Sequence, residues 1–451
     1  MLLSYKTHFK NTIRLSIPVI IGQLGLVMMG FFDNLMVGNL GGEMGHIYLS
    51  ASTLANSLFF LIVVISMGVG FAMPALVSES KGAKKPDAHL GEILMSGFWA
   101  GLIVSVISAV LVVISVFTLP YMGQPLNEIR LAQEYLIILS VSTPPLILFM
   151  IYKGLTDGVG DTKIGMYSTL FGLFGNIFLN WLFIFGHWGF PELKLNGAGI
   201  ATVITRYLML FGMMYYIHNR SKYKAFFTNF RWHFQRKPVY EFLKLGVPMG
   251  LQFFFEVAAF SGTSIMLGAL PVDASIYRAA HQIALGTASV TFMFCTGISN
   301  GSSILVGNYY GQNDWKNCQR AGFTGILTSL VAMLLFSVLL LVFRYEIAHF
   351  FQVENVKVYE IAPTLLIMAA AFQIFDGVQA TSAGTLRGIQ DVKFPTIATF
   401  IGYWLFSLPL SYFLCFPAKW GVYGVWVSYI ATLAIMSLVL SWRFWKRIKL
   451  A

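Results

Sequence analysis

Long apolar stretches of about 20 to 30 residues recur along the whole chain, each closed by a cluster of Gly, Pro or charged residues. A stretch of roughly 20 apolar residues matches the ~30 Å hydrocarbon core of a bilayer when it coils as an α-helix. The pattern predicts membrane helices at about 11–37, 49–77, 91–120, 131–152, 163–186, 197–218, 240–268, 276–309, 319–344, 358–386, 394–416 and 422–443. Clusters such as Gly38-Asn39-Leu40-Gly41-Gly42 and Gly123-Gln124-Pro125 are strong helix stops. The first stretch follows Lys6, Lys10 and Arg14 and lacks an Ala-x-Ala site, so it reads as a retained helix rather than a cleaved leader. The fold class is therefore an all-α integral membrane protein of about 12 transmembrane helices.

Composition agrees. Of 451 residues 57% are hydrophobic and only 11% charged, against roughly a quarter charged in a soluble domain. The net charge of +11 raises nucleic acid as a partner, but the bases sit in the short gaps between apolar stretches, which is the signature of membrane topology. The termini and even-numbered gaps hold 23 Lys and Arg, the odd-numbered gaps six, and Arg206 lies within a helix. That asymmetry predicts both termini in the cytoplasm. The basic stretch Arg220 to Lys244, with Lys222, Lys224, Arg231, Arg236 and Lys237, reads as a cytoplasmic linker, with a lipid-headgroup patch as the alternative. Cys295, Cys318 and Cys415 have no metal or disulfide spacing.

The linker divides two similar halves. Leu15-Ser16-Ile17-Pro18 pairs with Leu245-Gly246-Val247-Pro248, Met36-Val37-Gly38 with Met266-Leu267-Gly268, and Gly158 to Lys163 with Gly388 to Lys393, each 230 residues apart. Ala75-Leu76-Val77 through Gly82 pairs with Ile304-Leu305-Val306 through Gly311. Six helices per half is an even number, so the repeat is parallel: two six-helix bundles, expected at 1–219 and 238–451 with the linker at 220–237 between them. A central cleft between bundles suits an alternating-access carrier.

Ionisable groups inside hydrocarbon cost at least about 2.5–3.5 kcal/mol and call for a reason. The carboxylates so placed are Asp33, Glu256 and Asp376; the bases are Arg206, His281 and, near a helix end, Arg387. Gln252 and Glu256 lie one turn apart with Thr263 continuing their face, and Gln373, Asp376 and Gln379 form a stripe at spacing three. Asn176 and Asn180, at i and i+4, share a face and could equally be interhelical glue. Two desolvated carboxylates near the bilayer centre would take up a proton or a cation, which suits Glu256 and Asp376 to coupling an ion gradient. Asp33 is a weaker candidate because an interfacial carboxylate would look the same. Arg206 could pair with a carboxylate or snorkel. His281 beside Gln282 reads as a proton relay or as a hydrogen-bonded structural histidine.

With these residues in order, the chain resembles the multidrug and toxic compound extrusion (MATE) transporters, in their NorM-like branch. The resemblance is carried by Pro18 through Asp33 to Val37-Gly38, Gly68 to Lys81-Gly82-Ala83, Glu256, His281-Gln282-Ile283-Ala284, and Asp376 with Leu386-Arg387-Gly388 through Asp391. It implies a bacterial inner-membrane exporter, acting as a monomer, that expels small organic cations in exchange for Na+ or H+ and needs no other cofactor. It implies a cation site at Glu256 and Asp376, and a second acidic site at Asp33 supported by Asn176, Asn180 and Thr202. A related branch often carries aspartate where this chain has Asn180, which favours coupling in the C-terminal lobe. Its partners would be the organic substrate and membrane lipid, with no nucleic acid. A lipid-linked precursor flippase would want more cationic groups in the cleft. A membrane enzyme would want a motif such as HExxH, which the sequence lacks.

Overall fold

The computed structural model describes residues 2–41, 44–123, 125–228, 232–351 and 356–450. Gly42, Gln124 and Arg231, named above as loop residues, lie outside them. The spans are α1 Leu2–Gly38, α2 Met44–Gly82, α3 Asp87–Ser115, a broken span α4 made of Leu126–Val141 and Thr143–Val159, α5 Thr162–Phe185 and α6 Lys194–Asn219. The second half follows with α7 Arg236–Gly268, α8 Ala274–Gly311, α9 Trp315–Val342, α10 Val356–Gly388, α11 Lys393–Cys415 and α12 Val422–Lys449. Eleven are single helices long and apolar enough to cross a bilayer, and the α4 pair makes the twelfth.

The continuous helix expected over 131–152 is corrected. Its halves are bent by 41° at Ser142, directly before Thr143-Pro144-Pro145. Two consecutive prolines offer no N–H to the preceding turn and their rings crowd its carbonyls, so the helix restarts there. The span also runs from 126 to 159, because Asn127, Glu128 and Arg130 extend the helix beyond the apolar stretch.

The surface is inverted relative to a soluble protein. Phe171, Phe174, Leu335 and Leu438 are more than half exposed, while Asn176, Asn180, Gln373 and Asp376 are buried. Backbone groups are satisfied within the helices, and the outward faces are apolar, as a bilayer requires.

The repeat is written in the backbone as well as in the sequence. Gly160 and Gln390, 230 apart, both take left-handed φ (+91° and +60°). So do Lys84 and Asn313 (+51° and +56°), and Gly189 and Lys419 (+83° and +59°). Glutamine, lysine and asparagine pay a steric penalty there, so the turn geometry rather than residue preference sets these positions.

In chain order the expected lobes are 1–219 and 238–451. By packing, the compact units are residues 21–251, and residues 1–20 together with 252–451. Each unit thus keeps the first part of the other half's leading helix. The exchange points lie two or three residues after Pro18 and Pro248. Glycine permits both contacts. A Cβ on Gly68 of α2 would lie 2.0 Å from the Gly250 nitrogen, and one on Gly297 of α8 would lie 2.2 Å from the Ile20 side chain. Small residues let helix backbones approach this closely.

Within the unit 1–20 and 252–451, α8 and α12 pack along α10, and α11 packs on α12. Trp426, Tyr429, Tyr403, Phe372 and Leu365 form its fully buried centre. In the other unit, α2 packs on the second half of α4, and α5 on α6.

Candidate functional site

Each unit contains one buried acidic cluster. In residues 21–251 it is built around Asp33 of α1, which is 7% exposed. Asn180 of α5 donates to Asp33 Oδ1 at 2.5 Å and Thr202 of α6 donates to Asp33 Oδ2 at 3.1 Å. Asn176, one turn before Asn180, donates to the Thr202 hydroxyl at 3.5 Å, and its carbonyl oxygen accepts from Asn180 at 3.4 Å. The four residues expected here, Asp33, Asn176, Asn180 and Thr202, are therefore brought together. The Asn180 side-chain oxygen is buried without a hydrogen-bond partner. Arg206, one turn after Thr202, donates to the Ser142 hydroxyl at 2.5 Å, at the break in α4, and lies 5.3 Å from the Phe59 ring centre. It stands on the same face of α6 as Thr202. Ser142 and Phe59 carry no signal in the sequence, because both are ordinary residues in apolar stretches.

In the other unit the cluster is built around two carboxylates. Glu256 of α7 and Asp376 of α10 are 7% and 4% exposed. They are near enough for their charges to repel. Tyr403 of α11 donates to Glu256 Oε1 at 3.1 Å, and Asp376 Oδ1 has no hydrogen-bond partner. Tyr403 escaped sequence reading because one tyrosine in an aromatic-rich helix carries no signal. It sits in a π-helical stretch, Ile401–Ser407, whose wider turn re-aims side chains.

The supporting residues divide. Gln252 and Gln379 line a small cavity together with Glu256 and Arg387. Arg387 donates to Ser299 at 2.8 Å and its guanidinium lies over Phe253. Gln373 is spent on packing: its oxygen accepts from Thr291 at 2.9 Å and its nitrogen donates to Ser337 at 3.0 Å, tying α8, α9 and α10 together. Thr263 hydrogen-bonds the Tyr429 hydroxyl, so it serves α12 rather than Glu256. Gln282 is exposed and its neighbour His281 is fully buried, so the two face opposite ways. His281 is not the hydrogen-bonded histidine expected as one alternative. Neither ring nitrogen has a partner, and the ring packs on Trp426 and Tyr429 at 5.8 and 6.3 Å.

Among the described residues no three His, Cys, Asp or Glu side chains cluster as a metal site. A cation held here would draw on Glu256 and Asp376 together with neutral oxygens. Oxygen-only shells suit hard cations rather than soft, thiophilic metals.

The MatE family model matches twice, at residues 18–182 and 248–413. The chain belongs to the MATE family. The two matches begin 230 residues apart and end 231 apart. Multidrug resistance protein NorM of Photobacterium profundum is 31% identical over 98% of this chain and 96% of its own length. Its namesake in Vibrio cholerae is 32% identical with the same coverage. The fold matches the crystal structure of the eukaryotic MATE transporter AtDTX14 at a TM-score of 0.87, with 18% identity over 97% of this chain and 95% of that one. An outward-facing MATE transporter of the MOP superfamily matches at 0.85, with 19% identity over 98% and 96%. MATE proteins are membrane transporters, not enzymes.

Proposed function

We propose that this MATE protein is a multidrug efflux antiporter of the bacterial inner membrane, with both termini cytoplasmic. It exports cationic amphipathic compounds by alternating access, in exchange for Na+ or H+. The observation that carries the coupling site is the pair Glu256 and Asp376, two carboxylates buried in one unit. Among the described residues Asp376 Oδ1 is buried without a hydrogen-bond partner and Tyr403 alone donates to Glu256. Two like charges in a low-dielectric site are relieved by a proton or a cation, so occupancy at the pair depends on an ion gradient. The multidrug-resistance names of the relatives support the substrate class, and the excess of bases in alternate gaps supports the orientation. The parallel repeat supports two bodies moving as a carrier, one molecule sufficing.

The test is efflux by purified protein in proteoliposomes under a sodium gradient and a proton gradient applied separately. Glu256→Gln with Asp376→Asn should abolish gradient-driven efflux of an organic cation. Unchanged efflux at matched protein content would remove this pair from coupling.

A further inference from the structure

The Asp33 cluster has the makings of a cation site, yet a fixed cation, Arg206, stands one helical turn from it. Its oxygens are the Asp33 carboxylate, the Asn176 and Asn180 amides and the Thr202 hydroxyl, all at least nine-tenths buried. The Asn180 oxygen lacks a hydrogen-bond partner. Neutral donors reach both oxygens of Asp33, but neutral donors do not cancel its charge. Arg206 supplies the opposite charge. It stands one turn from Thr202, whose hydroxyl donates to Asp33, and on the same face of α6. The Ser142 hydroxyl, freed from regular helix geometry at the break in α4, holds one guanidinium nitrogen, and the Phe59 ring supports the group from another side. A guanidinium keeps its charge under any physiological condition, so this charge is permanent and tethered.

We infer that Arg206 is the resident cation of the Asp33 cluster: it supplies covalently the charge that an inorganic cation would bring, and so prevents this cluster from binding sodium. The unit holding Glu256 and Asp376 differs in this respect. Its cluster has two carboxylates for one nearby base, Arg387, which lines the same cavity as Glu256 and donates to Ser299. Exchange of the coupling ion is then confined to that unit, and Asp33 and Arg206 act as a fixed internal ion couple that orders α1, α4, α5 and α6. This consequence rests on the proposed coupling role of Glu256 and Asp376, but the binding claim at Asp33 does not.

The experiment is equilibrium binding of radioactive sodium to the purified full-length protein in detergent. The E256Q/D376N background removes the other carboxylate pair. With Arg206 intact, this background should show no saturable sodium binding in the millimolar range. Adding Arg206→Gln should create saturable binding, tightened by at least about tenfold through removal of one repelling charge in a low-dielectric site, and Asp33→Asn should abolish it. Arg206→Lys in the same background should remain without binding, which separates charge from shape. Asp33-dependent sodium binding in the background with Arg206 intact would overturn the inference, as would a folded R206Q protein that still binds none. The first arm needs no change at position 206, so the inference stays refutable even where R206Q fails to fold. Transport reads the role of Glu256 and Asp376 and binding reads Asp33, so either assignment can fail alone.

Discussion

Gly250 of α7 sets up a sharp test of how the helix ends are exchanged between units. Its ideal Cβ would lie 1.9 Å from the Ile65 carbonyl oxygen, 2.6 Å from the Ile65 carbonyl carbon and 2.8 Å from Ile65 Cα. All three are backbone atoms of α2, so no rotamer change relieves the clash. Reaching an ordinary contact of about 3.4 Å requires α7 and α2 to separate by about 1.5 Å. Overpacking of this kind costs typically 1–3 kcal/mol, and a backbone-on-backbone clash belongs at the upper end, about 3 kcal/mol. For a unit of this size that corresponds to a fall in melting temperature of roughly 6–12 °C. On the same helix Gly262 is the control, since its Cβ would meet only Leu408 at 3.6 Å. Gly262→Ala should not destabilise and should gain up to about 1 kcal/mol, because the added methyl fits and alanine favours helix. The assay is thermal unfolding of the purified variants in detergent, with efflux measured in parallel. Glu256 lies six residues beyond Gly250, so G250A should also impair transport. A G250A protein that melts within about 2 °C of wild type would refute the close α2–α7 approach.

Tyr403→Phe removes the hydrogen bond to Glu256 and should lower coupled transport about three- to tenfold at unchanged melting temperature, from the roughly 1 kcal/mol worth of such a bond. Equal transport rates for Y403F and wild type would separate Tyr403 from the site. Lys153 and Asp157 form a buried pair at 2.6 Å, 12% and 6% exposed. Lys153→Met alone should therefore destabilise by about 3–5 kcal/mol, and Asp157→Leu added to it should restore most of the loss in a thermal-shift measurement. Asp314 caps α9, accepting from the Asn317 backbone N–H at 3.0 Å and side chain at 2.7 Å, and these bonds hold its carboxyl below the usual range. A lowered carboxyl stabilises the fold fully above its unfolded pKa of about 3.9 and ceases to do so as pH falls below that through the folded value. Asp314→Ala should cost about 1 kcal/mol at neutral pH and progressively less in acid, as melting curves across pH would show.

Much of the architecture was legible because the bilayer enforces it. Apolar stretches of spanning length, stops between them and repeated motifs at one spacing suffice to count helices. What escaped depends on contacts between distant residues. The break at Ser142 was signalled by Pro144 and Pro145, but the apolar stretch around them outweighed it. Asp33, Asn176, Asn180 and Thr202 were legible as a set only through the family resemblance, because the residues alone leave Asn176 and Asn180 as readily interhelical glue. Gln373 and Thr263, equally polar, turned out to hold helices together, and spacing along one helix cannot separate the two uses. Tyr403 and Ser142 became visible only through what they touch.

The exchanged helix ends bear on where such a chain comes from. Residues 1–20 complete one unit and residues 238–251 help complete the other, so neither half is whole without a segment of its sibling. A cut in the linker would leave two fragments still interlocked, whereas either fragment alone would leave Gly68 or Gly297 without its partner. A single-copy chain built on this plan would find its missing segment only in a second copy. Duplication and fusion would then have made permanent a dimer that was already obligatory, and freed each copy to drift, one keeping two carboxylates and the other an aspartate with its own arginine.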